Sequence, residues 1–313
     1  MTRVASIGEC MIELAETADG TLRRGYGGDT LNTAVYLARL GVAVDYVTVL
    51  GTDPWSEEML AEWRGEGVGT SLVPRRADKL PGLYFIKTDG EGERRFYYWR
   101  ELSAARLLFE LPETPKLARD LASYDVLYLS GITLSLYGEA GRARLLATLA
   151  TARAKGCRIA FDTNFRPRGW PDPALAKRAY RSLFDTADIV LASVEDLELL
   201  FGADGECELP TQRQTAEIVL KLQEPAVRVL YKGLDELIRA EPVAGVVDTT
   251  AAGDSFAAAY LAARLAGADP LTAARSGHRL AGAVVQYRGA IIPRASMPSG
   301  ILPASSPAPE PRP

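Results

Sequence analysis

Short apolar runs alternate with longer stretches of helical spacing along most of the chain. Residues 4–7, 44–50, 126–129, 158–161, 189–192 and 227–231 are rich in β-branched or aromatic side chains and end at Gly, Ser, Asp or a Lys-Gly pair, which predicts strands. The intervening segments carry explicit helix starts. Asp53 before Pro54, Asp172 before Pro173 and Asp269 before Pro270 each place a capping carboxylate ahead of a proline suited to the first helical turn. Gly41 and Gly267 fall where left-handed helix ends belong. This alternation predicts an α/β fold, an open and mostly parallel sheet flanked by helices.

Two regions depart from that rhythm. Residues 82–88 and 93–99, separated by the Gly-containing segment 89–92, read as a β-hairpin. Tyr84, Ile86 and Thr88 share one face of it, as do Phe96, Tyr98 and Arg100 on the return strand. Aromatic residues on both faces predict that the hairpin covers something, so lid elements are expected around residues 10–27 and 82–101 of a domain spanning 1–297. Residues 298–313 contain prolines at 298, 303, 307, 309, 311 and 313, and read as a disordered tail with no core to join.

Composition narrows the chemistry. The chain has 313 residues, 47% of them hydrophobic, with 36 Lys plus Arg against 40 Asp plus Glu, for a net charge of −4. A mildly acidic chain without a basic run has no electrostatic case for nucleic acid or an anionic membrane. The longest apolar run, residues 256–263, falls far short of the ~20 residues that span a bilayer. Residues 1–9 show no hydrophobic signal core, because Gly8 and Glu9 interrupt it, and a cytoplasmic location is expected. The three cysteines are far apart and there is one histidine, so disulfide frameworks, zinc knuckles and histidine-rich metal sites are not expected.

The strongest chemical signal is the run Asp248, Thr249, Thr250, Ala251, Ala252, Gly253, Asp254, leading into an Ala/Leu-rich helix. The small residues let the backbone approach a ligand, and the helix start offers unpaired N–H groups and a positive dipole end to phosphoryl oxygens. Asp254 fits either a helix cap or a base that takes the proton of an attacking hydroxyl. The crowd of small residues around it favours the base.

This run resembles the C-terminal signature of the ribokinase-like (PfkB-type) sugar kinases, and Gly27, Gly28, Asp29, Thr30, Leu31, Asn32, Thr33 and Ala34 resemble their N-terminal one. Further blocks at 8–14, 81–84, 96–100, 164–168 and 286–293 look like the 2-keto-3-deoxygluconate kinase branch of that family, and the likeness covers roughly residues 3–298. It implies ATP-dependent transfer of a phosphoryl group to the 6-hydroxyl of 2-keto-3-deoxy-D-gluconate, with Mg²⁺ and possible K⁺. Asp254 then matches the catalytic base, and the backbone of Ala251, Ala252 and Gly253 the anion hole. Gly28, Asp29, Asn32, Tyr84, Tyr98, Arg100 and Arg166 match sugar-acid contacts, the arginines suiting a carboxylate. Asn164, Arg166, Ser193, Lys232, Gly233, Ala252, Gly253 and His278 match the nucleotide side. Asp196 matches an acid of the Mg²⁺–phosphate network, and Asp248 with Thr250 a monovalent-cation loop.

Each of these residues also has a plainer reading: a lid-surface ion pair for Arg100, packing for Tyr84, Tyr98 and His278, a helix cap for Asp29. One departure stands out. The resemblance calls for about a dozen more residues between Gly233 and Asp248, including a hairpin beside the nucleotide, so a poorly walled purine is expected. Alternatives are a kinase for a neutral ketose such as fructose, which would leave Arg100 and Arg166 without an anionic partner, and a sugar-acid-binding protein that has lost catalysis, which would have no need of Asp254. The apolar outer face of the hairpin, Phe85, Tyr97 and Trp99, points to a homo-oligomer through the lid.

Overall fold

The computed structural model describes residues 2–17, 19–88, 94–211 and 216–302. Along the first half run β1 (Arg3–Ile7), β2 (Met11–Glu16), β3 (Leu22–Gly27), α1 (Asp29–Arg39), β4 (Ala43–Val47), α2 (Pro54–Gly65), β5 (Leu83–Thr88), β6 (Arg94–Trp99), α3 (Thr114–Leu121) and β7 (Val126–Ser130). There follow α4 (Gly131–Leu136), α5 (Glu139–Ala154), β8 (Arg158–Asp162), α6 (Pro173–Thr186), β9 (Ile189–Ser193), α7 (Val194–Phe201), β10 (Glu217–Lys221), β11 (Ala226–Tyr231), β12 (Leu234–Arg239), α8 (Ala252–Leu265) and α9 (Pro270–Val284). The main sheet has eight strands in the order β12-β11-β10-β9-β8-β7-β1-β4, parallel from β4 to β10 and antiparallel beyond.

Strand alternation builds a core on each face of this sheet. Val126 and Tyr128 of β7 join α1, α2, α8 and α9, while Leu127 and Leu129 join α3–α7. The Asp-Pro starts work as their chemistry dictates: Asp53 accepts from the Ser56 N–H, Asp172 from Ala174, and Asp269 from Leu271 and Thr272. Gly41 and Gly267 hold φ of 84° and 89° just after α1 and α8.

A second sheet, β3-β2-β5-β6, lies on the edge of the domain and contains the expected hairpin. The turn at 89–93 is outside the described residues. Tyr84 and Ile86 are buried with Met11, Ala15 and Phe96 packed around them, whereas Tyr97 and Trp99 point outward, 46% and 60% exposed.

Three expectations are corrected. The segment 227–231, read as one more strand of the alternation, runs antiparallel to β10 as β11, and the parallel strand before it, β10, was missed. Lys232 and Gly233, with φ of 49° and 84°, make the tight turn between β11 and β12. Because β11 runs backwards, this turn lies at the edge of the sheet opposite the C-terminal ends of β8, β9 and β10. Of the segment between Gly233 and Asp248, residues 234–239 form β12, which pairs with β11. Lastly, residue 301 joins the core: Ile301 is 3% exposed, and the Gly300 carbonyl accepts from Arg279. An apolar side chain among prolines still finds a surface to bury against; residues 303–313 lie outside the described residues.

The long Ala-rich α8 packs closely on α1 and α9. A Cβ on Gly277 of α9 would stand 2.6 Å from a ring carbon of Phe256 on α8. Gly277→Ala gains helix propensity but overpacks this contact, so a net loss of about 1–3 kcal/mol is expected in denaturant unfolding.

Candidate active site

The parallel strands deliver polar residues to one edge of the sheet. β8 ends at Asp162, β9 at Ser193 and β10 at Lys221, the place where open α/β sheets hold ligands. Two helices start at the same edge, α1 with Asp29 and α8 with Asp254 in its first turn. Asn32, one turn into α1, donates from Nδ2 to Asp254 Oδ2 at 2.8 Å, and the Thr33 hydroxyl donates to the Asp254 carbonyl at 3.3 Å. Asn164 donates to Asp29 Oδ2 at 2.7 Å. Asn164 itself has φ of 25° and is braced by its N–H on Asp162 Oδ1. Lys221 Nζ sits 2.9 and 3.2 Å from the two oxygens of Asp162.

Four acids, Asp29, Asp162, Asp196 and Asp254, are thereby gathered at one edge of the sheet, near enough to raise one another's ionisation cost. Burial, and then the neighbouring Asp29 and Asp162, push Asp254 up to about 8, against the pull of the Asn32 hydrogen bond and of Lys221. Asp29 is raised as well, by burial first, although Ser130, the Thr30 N–H and Asn164 all hydrogen-bond to it. Burial also raises Asp196, whose Oδ2 accepts from Thr163 at 2.7 Å and whose Oδ1 lies 3.6 Å from Arg166.

The loop before α8 shows what its small residues are for. Ala251 adopts φ 60°, ψ 16°, a left-handed conformation that costs a non-glycine residue roughly 1–2 kcal/mol. The Ala252 N–H turns back to the Thr249 carbonyl at 3.2 Å, and the Ser255 N–H closes the first turn of α8 on the Ala251 carbonyl at 2.9 Å. Asp248 is the latch of that loop. Its Oδ1 accepts from the Thr250 N–H and hydroxyl at 3.0 and 2.7 Å, and its Oδ2 from the Gly289 N–H at 2.8 Å.

The lid meets the core at Glu9, which follows β1. Arg100 pairs with this carboxylate, which is 3% exposed. Neither Glu9 oxygen nor Arg100 Nη2 makes an aligned hydrogen bond, so charge alone joins them. Gly28 abuts the same point: a Cβ there would fall 2.2 Å from the Glu9 carbonyl. Tyr84 and Tyr98 are cross-strand partners with ring centroids 5.9 Å apart, and the Tyr84 hydroxyl donates to Glu13 at 2.5 Å.

The structure thus brings together Asp29, Asn32, Asn164 and Asp254 by direct hydrogen bonds and places Arg166 on Asp196, Ser193 as the cap of α7, and Gly28 beside the Glu9–Arg100 pair. It does not bring Lys232 and Gly233 to the site. Tyr231, next to their turn, packs under Arg264 at the far end of α8, so their nucleotide role is withdrawn. His278 is held within the fold, its Nε2 3.1 Å from the Ile238 carbonyl and its ring edge-on to Phe256, and burial lowers its pKa. Glu9, Asp162, Thr163 and Lys221 were missed. The signal for Lys221 was present, since Ile218, Val219 and Leu220 closed by a lysine match the neighbouring strands that end in Asp162 and Ser193.

Among the described residues no helix is long and apolar enough to cross a membrane, and no cluster of three or more acidic, His or Cys side chains forms a metal cage. A family model described as pfkB family carbohydrate kinase matches residues 1–297. The 2-dehydro-3-deoxygluconokinase of Dickeya dadantii (strain 3937) is 46% identical over 307 residues, covering 95% of this chain and 98% of the relative. The enzyme of the same name from Escherichia coli K12 is 43% identical, covering 95% and 99%. The crystal structure of a fructokinase with bound ATP from Xylella fastidiosa superposes with a TM-score of 0.80 at 24% identity, covering 95% of each chain, and shares the fold. With the family model spanning nearly the whole chain, this protein belongs to the pfkB family of carbohydrate kinases.

Proposed function

We propose that this enzyme transfers the γ-phosphoryl group of ATP to the 6-hydroxyl of 2-keto-3-deoxy-D-gluconate. The observation that carries the mechanism is Asp254, buried at the start of α8 behind a left-handed small-residue loop and fixed by Asn32. The sugar oxygen attacks the γ-phosphorus in line, its proton passes to Asp254, and the bond to the ADP oxygen breaks. The α8 amides at Gly253 and Asp254 receive the phosphoryl oxygens, whereas the Ala252 N–H is held by the Thr249 carbonyl at 3.2 Å. Asn32 Oδ1 is buried without a hydrogen-bond partner and suits a sugar hydroxyl; Asp29 and Gly28 flank it.

The acid end of the substrate belongs with the arginines. We assign the substrate carboxylate to Arg100, whose Nη2 faces Glu9 in the empty protein, with Tyr84 and Tyr98 forming the aromatic wall. Arg166, 59% exposed on Asp196, is set for the carboxylate and the nucleotide phosphates. Asn164, Ser193 and His278 are assigned to the nucleotide side. Mg²⁺ is commonly held by one or two carboxylates plus substrate phosphates, and Asp196 fits that arrangement; the ion would neutralise phosphate charge. The Asp248–Thr250 loop is the place for a monovalent cation such as K⁺. The use of ATP puts the reaction in the cytoplasm, and Tyr97 and Trp99 on the outer lid favour a dimer through that face.

An ADP-release assay across sugar acids and neutral ketoses tests the substrate: turnover of 2-keto-3-deoxygluconate well above fructose is expected, and the reverse order overturns the assignment. Asp254→Asn is expected to leave sugar-acid affinity within a few-fold while lowering kcat by roughly 10²–10⁴, the usual worth of a general base. Near wild-type turnover would reduce Asp254 to a cap.

Arg100→Ala should weaken the sugar acid by on the order of 2–5 kcal/mol and a neutral ketose much less. It also strands the Glu9 carboxylate, so thermal stability should fall, by up to about 3 kcal/mol. Equal losses for both substrates would make Arg100 a support of the lid.

Since Asp254 must be ionised to act and is pushed up to about 8 in the empty enzyme, kcat/KM is expected to rise with pH and level off near there. Asp29→Asn removes a like charge and should move that limb toward acid in a pH-rate profile. A limb at the ordinary carboxylate value of about 4 would contradict the electrostatics.

A further inference from the structure

The Glu9 carboxylate has no part in the mechanism above, yet it is the buried charge that faces the arginine assigned to the substrate acid. Its side chain is 1% exposed, and that of Arg100, just past β6 on the lid, is 20% exposed. On the core side its neighbours are neutral. Tyr137 and Cys10 have their ionisation opposed by burial first and then by the Glu9 charge. Gly82, at the start of the hairpin, makes room for both members of the pair. A Cβ there would stand 3.0 Å from Glu9 Oε1 and 3.2 Å from the Arg100 Cβ.

A guanidinium is a planar fork of five N–H donors, and Glu9 Oε2 meets it at Nη2. Among the described residues the Arg100 side chain makes no other ion pair or hydrogen bond. A rigid fork held at one tip presents its remaining edge in one direction. Attraction alone would be served better without Glu9, since an anion behind Arg100 repels an incoming carboxylate. What Glu9 supplies is direction.

We propose that Glu9 is a specificity-determining positioning residue, which aims the Arg100 guanidinium so that its remaining edge receives the substrate carboxylate in one geometry. This rests on the assignment of the sugar acid to Arg100. Two rival accounts are that Glu9 only staples the lid to the core, or only tempers the charge of Arg100.

The three accounts differ in sign for Glu9→Gln, which keeps the shape and removes the charge. Affinity is measured by calorimetry for 2-keto-3-deoxygluconate and for its neutral carboxamide, and kcat by ADP release. Positioning predicts that the acid binds roughly ten-fold more weakly and the carboxamide less than about three-fold, with kcat at saturation within a few-fold. Glu9→Asp keeps the charge one methylene short and should not restore the acid. In an Arg100→Met background, with no guanidinium to aim, adding Glu9→Gln should leave acid affinity unchanged. Equal losses for acid and carboxamide would make Glu9 a staple. Tighter binding of the acid, or its full recovery in Glu9→Asp, would make Glu9 a counter-charge. Each of these results, like an unchanged acid affinity in Glu9→Gln, overturns the proposal. A wild-type enzyme that binds no 2-keto-3-deoxygluconate would sink the substrate reading itself, a result distinct from wild-type binding that Glu9→Gln leaves untouched.

Discussion

The burial of like charges at one edge of the sheet is the constraint on which the site depends. Asp29, Asp162, Asp196 and Asp254 come from four separate elements, and each is tied to a donor: Asn164, Lys221, Thr163 and Asn32 respectively. These bonds do not remove the repulsion. They fix its geometry, so that the cost falls on the ionisation of Asp29 and Asp254. A carboxyl reluctant to ionise in the empty protein becomes a strong proton acceptor once ionised, which suits a base that must deprotonate an alcohol.

The fold supplies this arrangement through few decisions. Parallel strands bring Asp162, Ser193 and Lys221 to the same edge because β8, β9 and β10 share one direction. The packing of α8 on α1, permitted by the alanines of α8, brings Asp254 to Asn32. At the other side of the pocket, Glu9 joins the two sheets through Arg100, so the group suited to the substrate's acid also ties the lid to the core.

Much of this was legible in the sequence where a residue's local chemistry decides its structure. Aspartate before proline at 53, 172 and 269 capped helices because that geometry needs nothing distant. The small-residue run at 251–253 announced a loop that approaches a ligand, and Ala251 does take the left-handed conformation such a loop requires. Strand direction is not local. Residues 227–231 read equally well as a parallel or an antiparallel strand, and the wrong reading carried Lys232 and Gly233 to the wrong edge of the sheet while hiding Lys221. Long-range pairings were equally silent: nothing near Glu9 in the chain foretells Arg100, and nothing near Asp162 foretells Lys221.

The central claim is that burial and the neighbouring acids keep Asp254 of the empty enzyme protonated at neutral pH. Isotope-edited infrared spectroscopy of the carboxyl groups reads that proton directly, without turnover. The account requires a protonated-acid carbonyl band at neutral pH that fades as the pH passes about 8 and is altered in Asp254→Asn. Aspartates already fully ionised at about pH 6, two units above their ordinary value, would contradict it.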